Sequence, residues 1–220
     1  AFGADKELRS EADQMIQSRQ KEKEEKEAKK QTAKRIVEEI KTEIPDVWVC
    51  EPKVFADARG YFMETWRASD FNEHIGHEVN FVQDNQSMSS RGVLRGLHFQ
   101  KGEFSQAKLV RVLQGTVVDV AVDLRQASPT FGKYVMVELS AENKRQLFIP
   151  RGFAHGFQVL SDTAVFTYKV DNIYAPQAEC SIRYDDPKIG IAWPITNPQE
   201  LLLSEKDLQH AVSFDEAEKF

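Results

Sequence analysis

The stretch LQGTVVDVAVDL, residues 113–124, decides the fold class. β-branched side chains run through it; they lose rotamer freedom in a helix and pack well on a pleated surface. It reads as a strand. Working outward, the same texture recurs from Glu43 onward in VWVCEPKVFAD, GYFMETW, VNFVQDNQSMS, GVLRGLHFQ, KYVMVELS, RQLFIP, GFQVL and AVFTYKV. These segments are short, rich in Val, Phe, Leu and Tyr, and often alternate apolar with polar. Between them stand DARG, RQASPTFG, SAENKR, IPRG and LSDTA, built from turn-forming residues. Many short strands with regular turn signals predict an all-β fold, an antiparallel sandwich or barrel. Neither βαβ alternation nor GxGxxG accompanies them, which argues against a dinucleotide fold.

The chain has 220 residues and a formal net charge of −6, which suits one globular domain with a sizeable core and an appendage. The acidic balance argues against nucleic acid as the main partner but leaves room for a local basic pocket. No apolar run approaches the roughly 20 residues of a membrane span, and the charged start lacks a secretory h-region. Cys50 and Cys180 lie far apart and outside any CxxC spacing. Two reduced thiols in a cytoplasmic protein are expected, with no membrane partner.

Residues 1–42 differ in composition. KELRSEADQMIQSRQKEKEEKEAKKQTAKRIVEEIK has no Gly or Pro and is rich in helix-forming Glu, Lys, Ala and Gln. Leu8, Ala12, Met15 and Ile16 form one short apolar stripe, and Ile36, Val37 and Ile40 another. A charged helical extension over 1–42, followed by a β domain over 43–220, is the expected organisation. Near the end, LSEKDLQHA places Ser204 three residues before Asp207, a helix-start signal.

Two of the five histidines sit in strand-like segments beside glycines: His98 in RGLHFQ and His155 in PRGFAHGF. Three roles compete for each: a buried structural histidine, a metal ligand, or an acid/base. An HxH metal pair is missing, because Gln100 and Phe157 stand two residues beyond each histidine. Arg59, Arg95, Arg111, Arg151 and Lys108 lie in or beside strands, where buried cations are costly without anions. A phosphate or diphosphate ligand would supply those anions. Tyr168 and Tyr174 add phenolic donors, with aromatic packing as their ordinary alternative. Arg95 and His98 are three apart, so ideal alternation would not put both on one face unless a bulge intervenes near Gly96.

FADARGYFMETW, QDNQSMSSRGVLRGLHFQ, KLVRVLQGTVVDVAVDLRQASPTFGKY, FIPRGFAHGFQVLSD, YKVDNIYAP, DDPKIGIAWP and LSEKD together resemble the dTDP-4-dehydrorhamnose 3,5-epimerase family, in family order from about Glu43 to Leu208. The resemblance implies a cupin-type jelly roll, working as a homodimer without metal or other cofactor. Its substrate would be a dTDP-linked 4-keto-6-deoxy sugar, inverted at C3 and C5. Removing either proton gives an enolate of the C4 ketone, which needs a base, a cation at the oxyanion and an acid on the other face.

Residue by residue, the resemblance makes His98 the base and Asp207 the carboxylate that orients it. Lys108 becomes the cation at the C4 oxygen, and Tyr168 the opposing acid. His155 and Tyr174 become pocket residues, with His155 on the sugar. Arg59 and Arg95 fall at diphosphate-binding positions. Phe62, Glu64, Gln83 and Asn85 fall in the nucleoside region, with Phe62 and Glu64 supplied by the neighbouring subunit. Two readings compete: an epimerase acting at C3 or C5 alone, and a non-catalytic jelly roll that binds nucleotide sugars.

Overall fold

A computed structural model describes residues 37–220, together with 17–21 and 23. Two antiparallel sheets make up the main unit. The first has six strands in the order β1-β2-β10-β7-β12-β5, the second five in the order β13-β6-β11-β8-β9. The first comprises β1 (Val37–Lys41), β2 (Trp48–Pro52), β5 (Gln83–Ser90), β7 (Lys108–Gln114), β10 (Gln146–Ile149) and β12 (Thr163–Val170). The second comprises β6 (Leu94–Gln100), β8 (Thr116–Asp123), β9 (Tyr134–Ser140), β11 (Phe153–Val159) and β13 (Glu179–Ser181). The hairpin of β3 (Val54–Asp57) and β4 (Gly60–Met63) belongs to a separate compact unit that includes Lys53–Glu64. The expected all-β fold is therefore present, in the two-sheet form of a jelly roll.

The deciding stretch divides at Gly115, which turns β7 into β8 with φ at +77°. A Cβ there would stand 2.0 Å from the Thr163 carbonyl, so the tight turn requires glycine. β8 is buried on both faces, which explains its nearly continuous valines. Val117 and Ala121 pack between the sheets with Val110, Val112, Phe157 and Phe166. Val118, Val120 and Val122 point the other way, onto Leu94, Leu97, Trp193 and Phe214. The chain after β13 thus caps the outer face of the second sheet. Each buried Val, Leu or Phe contributes about 1.5–3 kcal/mol.

The N-terminal expectation needs correction. Val37–Lys41 is a strand at the edge of the six-stranded sheet, not the end of a helix. Open β2 backbone groups outweigh the helix preference of Glu38, Glu39 and Lys41, because intrinsic propensity is a weak prior beside tertiary pairing. Residues 17–21 and 23 are helical. The remainder of the expected helix, including its first apolar stripe, lies outside the described residues.

Candidate active site

The open end of the sandwich holds a cavity of about 490 Å³. Its floor and walls come from both sheets. β6 and β11 supply Arg95, His98, His155 and Phe157; β5, β7 and β12 supply Ser87, Lys108, Phe166 and Tyr168. The C-terminal segment closes one side with Leu202, Leu203, Ser204, Lys206 and Asp207.

Arg95 and His98 both line this cavity because β6 carries the expected irregularity. Opposite β11, His98 pairs with His155 but Arg95 with Phe157, so three steps on β6 match two on β11. Gly96 takes up the extra residue at φ +131°. A Cβ on Gly96 would stand 2.5 Å from the Gly156 Cα, so the two glycines let the backbones touch. Gln100 has a different task from the histidines. Its amide donates to the carbonyls of Phe104 and Ile173 and accepts from the Ala175 N–H at 2.7 Å. The side chain at the would-be second ligand position is thus committed to three backbone bonds. Among the described residues, no three His, Cys, Asp or Glu side chains cluster as a metal site.

His98 and Asp207 meet at 2.5 Å between Nε2 and Oδ1. The helix Glu205–Gln209 places the carboxylate, and Ser204 caps it as the Ser-x-x-Asp spacing anticipates. The Ser204 hydroxyl donates to Asp207 Oδ2 at 2.8 Å and accepts from the Asp207 N–H. Burial pushes the Asp207 carboxyl up, but the bonds from His98 and Ser204 outweigh it and hold it below its ordinary value. A carboxylate at Nε2 fixes the proton there and leaves Nδ1 as the basic nitrogen.

A second pair lies deeper. His155 Nε2 meets both oxygens of Asp119, at 3.0 and 2.9 Å, and both residues are buried. Burial pushes His155 down, against the pull of Asp119, so the ring is neutral. The sequence reading missed Asp119. Its signal was one carboxylate inside a run of valines, a position tolerable only with a partner. Glu179, Lys206 and Ser87 were missed as well.

Lys108 reaches in from β7. Burial lowers its ammonium from 10.5 to about 8, with Asp119 and Glu179 pulling it back up. Burial likewise raises Tyr168, against Arg95, so it rests as a phenol. The Arg95 guanidinium donates to Ser89 Oγ at 3.1 Å.

The other expected residues fall outside the cavity lining. Gln83 and Asn85 lie on the same face of β5 as Ser87 and bond to each other at 2.8 Å. The Tyr174 N–H donates to Gln83 Oε1, and its hydroxyl donates to Glu179 Oε2 at 2.6 Å. They form a polar row beyond Ser87. Arg59, Phe62 and Glu64 belong to the separate β3–β4 unit, where Arg59 pairs with Asp57 and Phe62 is 70% exposed. Arg151 is paired with Asp171 at 2.8 Å and is not part of the cavity.

A family model described as dTDP-4-dehydrorhamnose 3,5-epimerase matches residues 41–215. The chain belongs to the dTDP-4-dehydrorhamnose 3,5-epimerase family. A family member from Shigella flexneri is 59% identical over 169 residues, which is 77% of this chain and 92% of that protein. The crystal structure of dTDP-4-dehydrorhamnose 3,5-epimerase from Elizabethkingia anophelis superposes with a TM-score of 0.78 at 53% identity, covering 82% of this chain and 98% of that one. A dTDP-6-deoxy-D-glucose 3,5-epimerase from Legionella pneumophila, in complex with dTDP-4-keto-L-rhamnose, gives 0.79 at 48% identity, covering 83% and 95%. The family match thus spans every strand of the two sheets except β1, and all of the residues that line the cavity.

Proposed function

We propose that the chain inverts C3 and C5 of dTDP-4-keto-6-deoxy-D-glucose to give dTDP-4-keto-L-rhamnose, with the cavity residues in the following roles. One observation carries the assignment. His98 and its Asp207 partner occupy the five-stranded side of the cavity, while Tyr168 and Lys108 project from the six-stranded side. A ring held between the sheets has a base on one face and a proton donor on the other.

Nδ1 of His98 takes the proton from C5 or C3, and the charge moves to the C4 oxygen. Lys108 stabilises that oxyanion; with its ammonium near 8 it is cationic at neutral pH and able to share a proton with the enolate. The Tyr168 phenol then delivers its proton to carbon from the opposite face, and Arg95 eases the transient phenolate. His155, kept neutral by burial and oriented by Asp119, directs its other ring nitrogen to a sugar oxygen. Arg59 and Arg95 hold the diphosphate, and Gln83, Asn85, Tyr174, Phe62 and Glu64 the nucleoside. Phe62 and Glu64 act from the second subunit of a homodimer. The catalytic domain spans 43–220, preceded by a charged extension whose residues 37–41 add an edge strand to the six-stranded sheet, and the enzyme works in the cytoplasm.

Incubation with the dTDP-keto sugar in deuterated water tests the reading by proton NMR. Deuterium enters C3 and C5, and both centres invert. Exchange and inversion at one carbon alone assigns a single-position epimerase instead, and binding without exchange a non-catalytic jelly roll.

A further inference from the structure

The helix that carries Asp207 is a weak element. It spans five residues, Glu205–Gln209, and Asp207 is its one buried side chain. A helix so short has no stability of its own. The chain is anchored on either side of it. Leu202 exchanges backbone hydrogen bonds with Gly92 and Leu94, and Val212 does so with Ser181 and Arg183. Residues 203–211 are therefore a strap stretched along the cavity rim between two fixed points.

Side-chain bonds tie the strap to the sheet at two adjacent residues. Asp207 meets His98, and Lys206 meets Glu179 Oε2. Glu179 lies on β13, opposite Gln100, while Ser181 of the same strand lies opposite His98. The strap is thus fastened to the strand beside the base. Exposed ion pairs contribute little to stability, and Lys206 is 50% exposed, but Glu179 is only 16% exposed and its Oε2 also accepts the Tyr174 hydroxyl. The carboxylate is therefore already set in place for the lysine.

We propose that the Glu179–Lys206 ion pair is a latch that positions Asp207 against His98. Glu179 and Lys206 are positioning residues, acting through the base. The inference rests on the assignment of His98 as base and Asp207 as its partner. It also ties Tyr174, on the nucleoside side, to the catalytic dyad through a single carboxylate oxygen.

Glu179→Gln is the decisive variant. By charge alone, removing an anion would lower the Asp207 titration further. Release of the latch does the reverse, moving the Asp207 carboxyl up toward its ordinary value as its bond to His98 loosens. Carbon-13 NMR titration of substrate-free protein reads this shift. In turnover, kcat falls about tenfold, the size of one charged hydrogen bond, with KM within about twofold. Lys206→Met gives the same loss, Lys206→Arg keeps most of the activity, and the double variant is no worse than either single one. An Asp207 titration unmoved or lowered in Glu179→Gln overturns the latch, as does a raised KM at constant kcat, which would make Lys206 a substrate contact. The titration needs no turnover, so it separates failure of the latch from failure of the base assignment, which His98→Ala tests.

Discussion

His98 and Asp207 join across 109 residues, between a strand of the sheet and a strap on the rim, and the His98 side chain is 29% exposed. His155 and Asp119 join across 36 residues, between the neighbouring strands β11 and β8, and the imidazole is 8% exposed. The chemical groups are the same. In the outer pair, hydrogen bonds overcome burial and keep Asp207 ionised, ready to stabilise an imidazolium. In the inner pair, burial dominates and His155 stays neutral. On the proposed mechanism, the outer pair takes the proton and the inner pair holds the sugar. The difference comes from the dielectric surroundings and from which element carries the aspartate, since the side-chain types do not differ.

The comparison breaks most directly at the outer histidine. His98→Ala lowers kcat about 10³-fold, the span of general-base catalysis, while dTDP affinity by calorimetry stays within about threefold because the base is not needed for binding. A residual rate near wild type would remove His98 from the role. His155→Asn, in contrast, raises KM and lowers kcat by about tenfold at most, the scale of a single hydrogen bond to the sugar.

Lys108 adds a pH test. Its ammonium loses its proton above about 8, so kcat/KM falls on the alkaline side of that value, about tenfold per pH unit. Lys108→Arg keeps a cation there and removes this limb from the profile. Stability takes the opposite sign. A lysine whose folded value lies below its unfolded 10.5 gives a folded state that gains stability as pH rises from about 8 to 10.5. Denaturant unfolding at pH 7 and pH 10, with Lys108→Met as reference, reads the difference.

The pairs also separate by stability. Asp119→Ala leaves the buried His155 N–H without its partner and costs about 2–3 kcal/mol, lowering Tm by roughly 4–12 °C. Asp207→Ala, on the strap, costs about 1 kcal/mol or less while abolishing most activity. Equal losses from the two would erase the distinction between them. The smallest effect on turnover is at the cap. Ser204→Ala costs about 1 kcal/mol and slows turnover only a few-fold by loosening Asp207.

Much of this arrangement could be read locally. Strand segments and turns follow from alternation and from Gly, Pro, Asn and Asp, and Ser204 three residues before Asp207 marks the short helix. The three-residue spacing of Arg95 and His98 demanded a bulge, and Gly96 provides it. Other features followed no local rule. Val37–Lys41 carries helix-favouring residues and pairs as a strand because a neighbouring edge was open. Asp119 looked like one polar residue in a strand until His155 supplied its partner.

The sequence alone therefore determined the all-β class, the turn positions and which residues were chemically able to act, because these depend on periodicity and backbone preference over a few residues. The family resemblance anticipated Asp207 beside His98; only the tertiary structure decided that Asp119 meets His155, and on which wall of the cavity each group stands. Those pairings cross tens to over a hundred residues. No local signal carries them, since they arise from how the sheets pack and where the C-terminal strap is pinned.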